Sequence, residues 1–186
     1  YLAWFGNEKI DKNKIREYIE KYNSLTDLED NYFSLNFSNT YFSEENCKKI
    51  GFIREDIEDN YTNNNLNIRE RAILITSLLY AMDKIANTVG HYDAYRKTGD
   101  LNKKLELCML DLKSNTNNKN NKIFNEDSNE LVRTLKADVV YIDPPYNSRQ
   151  YSDAYHLLEN VAMWEKSEVH GVAKKMERNG IKSKYC

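Results

Sequence analysis

Asp143, Pro144, Pro145 and Tyr146 follow one another after the run VVYI, and the two prolines are the only ones in the 186-residue chain. Each proline fixes φ and removes a backbone donor, and Pro145 pushes Pro144 out of the helical region. The product is a stiff turn rich in acceptors: a carboxylate from Asp143, a backbone carbonyl from Pro144, and the flat face of Tyr146. Two acceptors beside an aromatic ring suit a planar group that carries an NH2, such as the amino edge of a nucleobase. The amino nitrogen of adenine is a poor nucleophile because its lone pair is delocalised into the ring. With both N–H bonds held by acceptors, the nitrogen becomes more tetrahedral and turns its lone pair toward an electrophile without a strong base. Tyr146 would stack on a base taken out of a duplex and offset part of the unstacking cost of roughly a few kcal/mol. The plainer alternative is a proline pair that ends a strand and leaves Tyr146 on the surface.

Such a turn needs a firm element before it. The run "DVVYID" reads as a buried strand, "SNELVRTLK" as a helix with Leu131, Val132 and Leu135 on one face, and "KIFNED" as a short strand. Together they predict a β-α-β unit, hence parallel strands in an open α/β sheet with Asp127 and Asp143 at strand carboxyl ends, where such sheets place their sites. After the loop through Arg149, Ser152 is placed to cap a helix carrying Tyr155, Leu158, Val161 and Ala162.

The first 113 residues read differently. Ile15, Tyr18, Ile19 and Tyr22 keep helical spacing, and Ser43 precedes another such run through Cys47, Ile50, Ile53 and Ile57. Ile68, Ala72, Ile75, Leu79, Met82, Ala86 and Val89 predict a long helix over 68–89, and Leu101, Leu105, Cys108 and Leu112 predict one more. The polar stretch "SNTNNKNNK" cannot enter a core and separates the helical region from the remainder of the chain. The expected division is therefore a helical region at 1–113, a linker or mobile loop at 114–121, and a partial α/β portion at 122–186. At the end of the long helix, "GHYDAYRK" gathers His91, Tyr92, Tyr95, Arg96 and Lys97. Interleaved aromatic and basic side chains suit phosphate contacts and base-edge reading. The alternative is a helix end capped by Gly90 with ordinary surface residues.

Composition narrows the class. A net charge of -2 argues against a generally cationic nucleic-acid binder, although residues 166–186 hold six Lys/Arg against two Glu, a local charge of +4. Cys47, Cys108 and Cys186 have no CxxC spacing, and His91, His156 and His170 are not placed to complete a metal site. The reading is a reducing, cytoplasmic protein without a metal. The longest apolar run, 72–82, is too short to span a bilayer.

The string "YIDPPYNSRQYSDAYHLLENVA" at 141–162 resembles the amino-methyltransferases, in particular the DNA adenine methyltransferases of the Dam and FokI-methylase type. "YFSEENCKKIGFIREDIE" at 41–58 and "IANTVGHYDAYRK" at 85–97 are similar to the segment that precedes DPPY in the FokI-like members. The resemblance implies a Rossmann-like methyltransferase sheet with a mainly helical target-recognition insertion. It implies transfer of a methyl group from S-adenosylmethionine to the adenine amino group of duplex DNA, with a restriction endonuclease as functional partner. On these positions Asp143 and the Pro144 carbonyl hold the amino group, Pro145 stiffens the turn, and Tyr146 stacks on the flipped adenine. Asp127 takes the place that contacts the cofactor's adenine, unless it is a helix N-cap paired with Glu130. His91, Tyr92, Tyr95, Arg96 and Lys97 would then contact DNA, and Arg149 and Gln150 would hold its backbone beside the flipped nucleotide.

The sequence departs from the family in lacking Phe-x-Gly-x-Gly: its glycines lie at 6, 51, 90, 99, 171 and 180. The expectation is a methyltransferase fragment whose cofactor loop lies before Tyr1 or on another chain. An RNA or protein amino-methyltransferase, and a DNA-binding module without catalysis, are the other readings of the same residues.

Overall fold

The computed structural model describes residues 1–112, 121–143 and 150–177. Helices α1 (Leu2–Phe5), α2 (Lys12–Ser24), α3 (Tyr32–Phe37), α4 (Glu44–Thr62) and α5 (Ile68–Ile85) build a helical body. Short polar side chains start α2 to α5. Asp11 accepts from the Asn13 and Lys14 amides, Ser43 from the Asn46 amide, and Asn31 and Asn67 form capping boxes with Ser34 and Glu70. These caps satisfy amides that a helix leaves without intrahelical partners. Glu70 also accepts from the Asp11 amide at 3.0 Å and from Lys14 at 2.7 Å, so one buried carboxylate ties the starts of α2 and α5 together.

Ile15, Ile19 and Tyr22 of α2 and Cys47, Ile50, Ile53 and Ile57 of α4 are buried, as their spacing predicts. The α5 stripe agrees with the predicted one only in part. Ile75 and Met82 are buried as expected, but the buried face also runs through Leu74, Leu78, Ala81 and Ile85, while Ile68 and Val89 are exposed and the helix stops at Ile85. Helix α5 is apolar on most sides and packs against α1, α2, α4 and the helix His156–Met163, so periodicity alone does not select its face.

The helix predicted over 101–112 is not formed. The segment is extended, with Leu105 and Leu107 buried on one side. Two asparagine side chains take its backbone polar groups. Asn46 donates to the Lys103 carbonyl at 2.7 Å and accepts from the Leu105 amide at 3.1 Å. Asn23 donates to the Leu107 carbonyl and accepts from the Leu107 amide, each at 2.9 Å. A side-chain amide carries the same donor and acceptor as a peptide group, so α2 and α4 offer this strap a substitute for a neighbouring strand.

Residues 121–143 also depart from expectation. They hold only the short helix α6 (Ser128–Leu131), and neither "KIFNED" nor "DVVYID" is a strand. Val139 is 85% and Tyr141 86% exposed, so the apolar run expected inside a sheet faces outward. A two-stranded parallel unit without further strands leaves most of its ladder groups and both faces uncovered. Among the described residues the sheet is a small antiparallel one, β1 (Val169–His170) on β2 (Lys175–Met176).

The chain returns to the body at Gln150. Helices α7 (Tyr151–Ala154) and α8 (His156–Met163) meet at Tyr155, and Ser152 lies inside α7 where a cap was expected. Leu157 and Val161 face the core, and Leu157 takes the place expected for Leu158. Arg54 of α4, fully buried, donates to the Val161 carbonyl at 2.7 Å and to Glu58 at 2.5 Å, with its guanidinium 5.3 Å from the Trp164 ring. Removing the Asn46 side chain should strand the strap's backbone groups: Asn46→Ala is expected to cost about 2–3 kcal/mol, read from the urea unfolding midpoint.

Candidate active site

Asp143 is the last described residue before the turn and is exposed. Pro144, Pro145, Tyr146 and Arg149 lie outside the described residues. The structure shows how the chain is held where it re-enters the fold.

Gln150 is buried and precedes the first turn of α7. At the end of that helix the chain meets the loop 90–97. The Tyr92 amide donates to the Ala154 carbonyl at 2.7 Å, and the Tyr92 carbonyl accepts from His156 Nε2 at 2.8 Å and from the Tyr41 hydroxyl at 2.6 Å. A carbonyl has two lone pairs, and both are taken. The Tyr92 ring is buried and its hydroxyl donates to Asp83 at 3.2 Å. Outside this joint, Lys175 of β2 reaches Asp93 at 2.6 Å and Asp153 at 3.7 Å.

The loop's own shape is set by Asn87. Its side chain donates to the Thr40 and Arg96 carbonyls, its amide donates to the Tyr41 carbonyl, and its side-chain oxygen occupies the space a Cβ on Gly99 would need. Gly90 has φ +101°, a conformation that side chains disfavour, so glycine here serves a turn beyond the end of α5 and not its cap.

The predicted DNA-contacting residues therefore divide. Arg96 and Lys97 are exposed, and His91 and Tyr95 are half-buried, His91 beside Asp93 and Tyr95 with its ring 5.5 Å from that of Tyr41. Tyr92 is a core residue that holds α7 and α8. Asp127 caps α6 by accepting from the Asn129 amide at 2.8 Å. Tyr41 and His156 complete the joint, Asp93, Asp153 and Lys175 lie beside it, and sequence reasoning missed all five. They act through pairings up to 132 residues apart in the chain, which no local pattern reveals.

A Cβ on Gly6, Gly51 or Gly99 would strike the chain's own Leu2 carbonyl or the Asn31 or Asn87 side chain, and Gly90 and Gly171 lie on open turns. Among the described residues no cluster of His, Cys, Asp and Glu is arranged to hold a metal, and no helix is long and apolar enough to cross a membrane.

Among the described residues, Asp143 and Gln150 stand at the two edges of the Asp-Pro-Pro-Tyr segment, and the helix that Gln150 opens is bonded to a loop carrying aromatic and basic side chains. The model of the D12 class N6 adenine-specific DNA methyltransferase family matches residues 4–186, and the chain belongs to that family. It is 44% identical over 159 residues to the modification methylase StsI of Streptococcus sanguinis, covering 83% of this chain and 24% of that protein. To the Type II methyltransferase M.FokI of Planomicrobium okeanokoites it is 39% identical over 148 residues, covering 78% and 23%. To the modification methylase LlaI of Lactococcus lactis subsp. lactis it is 37% identical over 134 residues, covering 70% and 22%. The chain thus spans about a quarter of the length of these relatives. No solved structure matches it. Family membership implies a Rossmann-like α/β fold.

Burial holds His156 below its ordinary value of 6.5, with the Tyr92 carbonyl opposing that shift and Lys175 adding to it. The folded state thus keeps the imidazole neutral while the unfolded chain still takes up a proton. The stability this supplies is complete above the ordinary value and is lost as the pH falls from there toward the folded value, at most about 1.4 kcal/mol per pH unit. Urea midpoints between about pH 7.5 and about pH 5.5 should fall less in His156→Gln than in the wild type.

Proposed function

We propose that this chain is part of a site-specific DNA methyltransferase that methylates the exocyclic amino group of adenine, in a restriction-modification system. The observation that carries the reading is the family match over 4–186 with Asp-Pro-Pro-Tyr intact inside it. The printed names of the relatives, modification methylases and Type II methyltransferases, support the restriction-modification context. A restriction endonuclease is then the functional partner, and the protein works in the cytoplasm.

In this reading the helical region at 1–113 recognises the target, 114–121 links, and 122–186 supplies part of the catalytic domain. The adenine leaves the duplex and stacks on Tyr146. Asp143 and the Pro144 carbonyl each accept one N–H of the amino group, so electron density builds on the nitrogen, and Pro145 keeps the two acceptors in register. Methyltransferases of this family use S-adenosylmethionine, which supplies the methyl group. Asp127 contacts its adenine. Arg96, Lys97, Tyr95 and His91 contact the duplex, with Arg149 beside the flipped nucleotide.

The test is transfer of labelled methyl to unmethylated duplex DNA by the full protein that carries this sequence, with digestion to nucleosides. Label should collect in N(6)-methyladenine, and Asp143→Ala should lower the rate at least about 100-fold while leaving DNA binding within about threefold. Label retained in the variant, or preferring RNA in competition, would overturn the reading.

A further inference from the structure

The hairpin of β1 and β2 is pinned at its base and open at its tip. Its strands pair Val169 with Met176 and His170 with Lys175, too short a ladder to stand alone in water. The helical body supplies the rest. Val169 packs against the core, the Tyr32 hydroxyl donates to the Ser167 carbonyl at 2.6 Å, and Lys175 lies between Asp93 and Asp153. Tyr41 fixes where the hairpin lies. The hydroxyl that reaches the Tyr92 carbonyl at 2.6 Å also reaches the Ala173 carbonyl at 3.0 Å, so its single proton is shared between the loop 90–97 and the hairpin turn.

The tip has no such anchors. His170 and Gly171 are exposed, and Val172 is 80% exposed. The turn holds two left-handed residues, Gly171 at φ +71° and Lys174 at φ +54°. Glycine takes that conformation freely and lysine seldom does. Lys174 is kept there by the bond from its amide to the Gly171 carbonyl at 3.2 Å and by the anchored Lys175 beside it. Backbone of this kind persists where its surroundings over-determine it, and it gathers at active sites and ligand clamps.

Charge and shape say what the tip fits. Lys175 is neutralised by Asp93 and Asp153, whereas Lys174 in the turn and Arg96 and Lys97 on the neighbouring loop have no carboxylate partner among the described residues. In a chain of net charge -2, these cations meet on one face, beside a protruding two-stranded ribbon. The major groove of a duplex, about 12 Å wide, admits such a ribbon, and its flanking phosphates suit cations that no carboxylate holds.

We propose that the hairpin 169–176 is a second DNA-contacting element beside the loop 90–97: its tip, Gly171 and Val172, enters a groove of the duplex, and Lys174 takes a phosphate at the groove's edge. The proposal rests on the methyltransferase reading given above and adds to it a surface that follows the Asp-Pro-Pro-Tyr turn in sequence.

The experiment uses the full protein that carries this sequence and a duplex with its target site, mapped from the adenines it methylates. With Val172 replaced by a benzophenone-bearing amino acid, light should link position 172 to the DNA. A link to a second copy of the protein instead, or no link to DNA, overturns the proposal. Val172→Asp should weaken duplex binding about tenfold or more, because it sets a like charge against phosphate. Lys174→Gln should lower the slope of log affinity against log salt by about 1. Neither side chain belongs to the core, so the urea midpoint should stay at the wild-type value in both variants. Wild-type binding by Val172→Asp, or a wild-type slope in Lys174→Gln, overturns the proposal as well. Asp143→Ala separates the two readings: if it transfers methyl, the methyltransferase reading itself fails, whereas an inactive Asp143→Ala beside hairpin variants that bind like the wild type removes only the hairpin's role.

Discussion

One peptide group, that of Tyr92, fastens the parts of this protein to each other. Its carbonyl takes bonds from the Tyr41 hydroxyl and His156, its amide gives one to Ala154, and its side chain reaches Asp83 at the end of α5. A peptide group buried without partners is costly, and here each partner comes from a different element. Satisfying it forces the chain entering α4, the end of α5, the loop 90–97 and the helices α7 and α8 to meet at one place. Burial raises the Tyr92 phenol well above its ordinary value, with the carboxylate of Asp83 adding to the rise, so the ring stays neutral and donates.

The same sharing of polar groups recurs elsewhere in the core. Glu58 accepts from two guanidiniums, those of Arg54 and Arg71, and Arg54 also donates to the end of α8. Asn23 and Asn46 hold the extended strap as a strand partner would. Ion pairs of this kind are poor sources of net stability, because desolvation consumes much of the attraction, but removing one partner leaves the other buried and unpaired. Their effect is to specify one arrangement of helices that are apolar enough to pack in several.

The segment 121–143 stands apart from this pattern. Ile123, Val132, Val139, Val140, Tyr141 and Ile142 are all exposed, and no strand pairs with them among the described residues. It is the apolar stretch that leads to Asp143. The helical body, by contrast, closes its core from its own residues, α8 included.

The sequence by itself determined the start of α4 and which groups the Asp-Pro-Pro-Tyr turn offers. Ser43 caps the helix whose stripe it precedes, because a cap and a 3.6-residue period need only residues within a few positions of each other. The acceptors of Asp143 and Pro144 and the ring of Tyr146 are likewise legible from residue type, because a carboxylate, a proline carbonyl and an aromatic face keep their chemistry in any fold. Only the tertiary structure decided the rest. Leu101, Leu105, Cys108 and Leu112 fit a helix by spacing, but Asn23 and Asn46 claim the backbone and keep it extended. Tyr92 reads as a surface aromatic and is core. Val139 to Ile142 read as a buried strand, yet burial requires a sheet that local sequence does not supply. The pairing of His156 with Tyr92, 64 residues apart, has no local signature, because a hydrogen bond between distant elements is a property of how they pack.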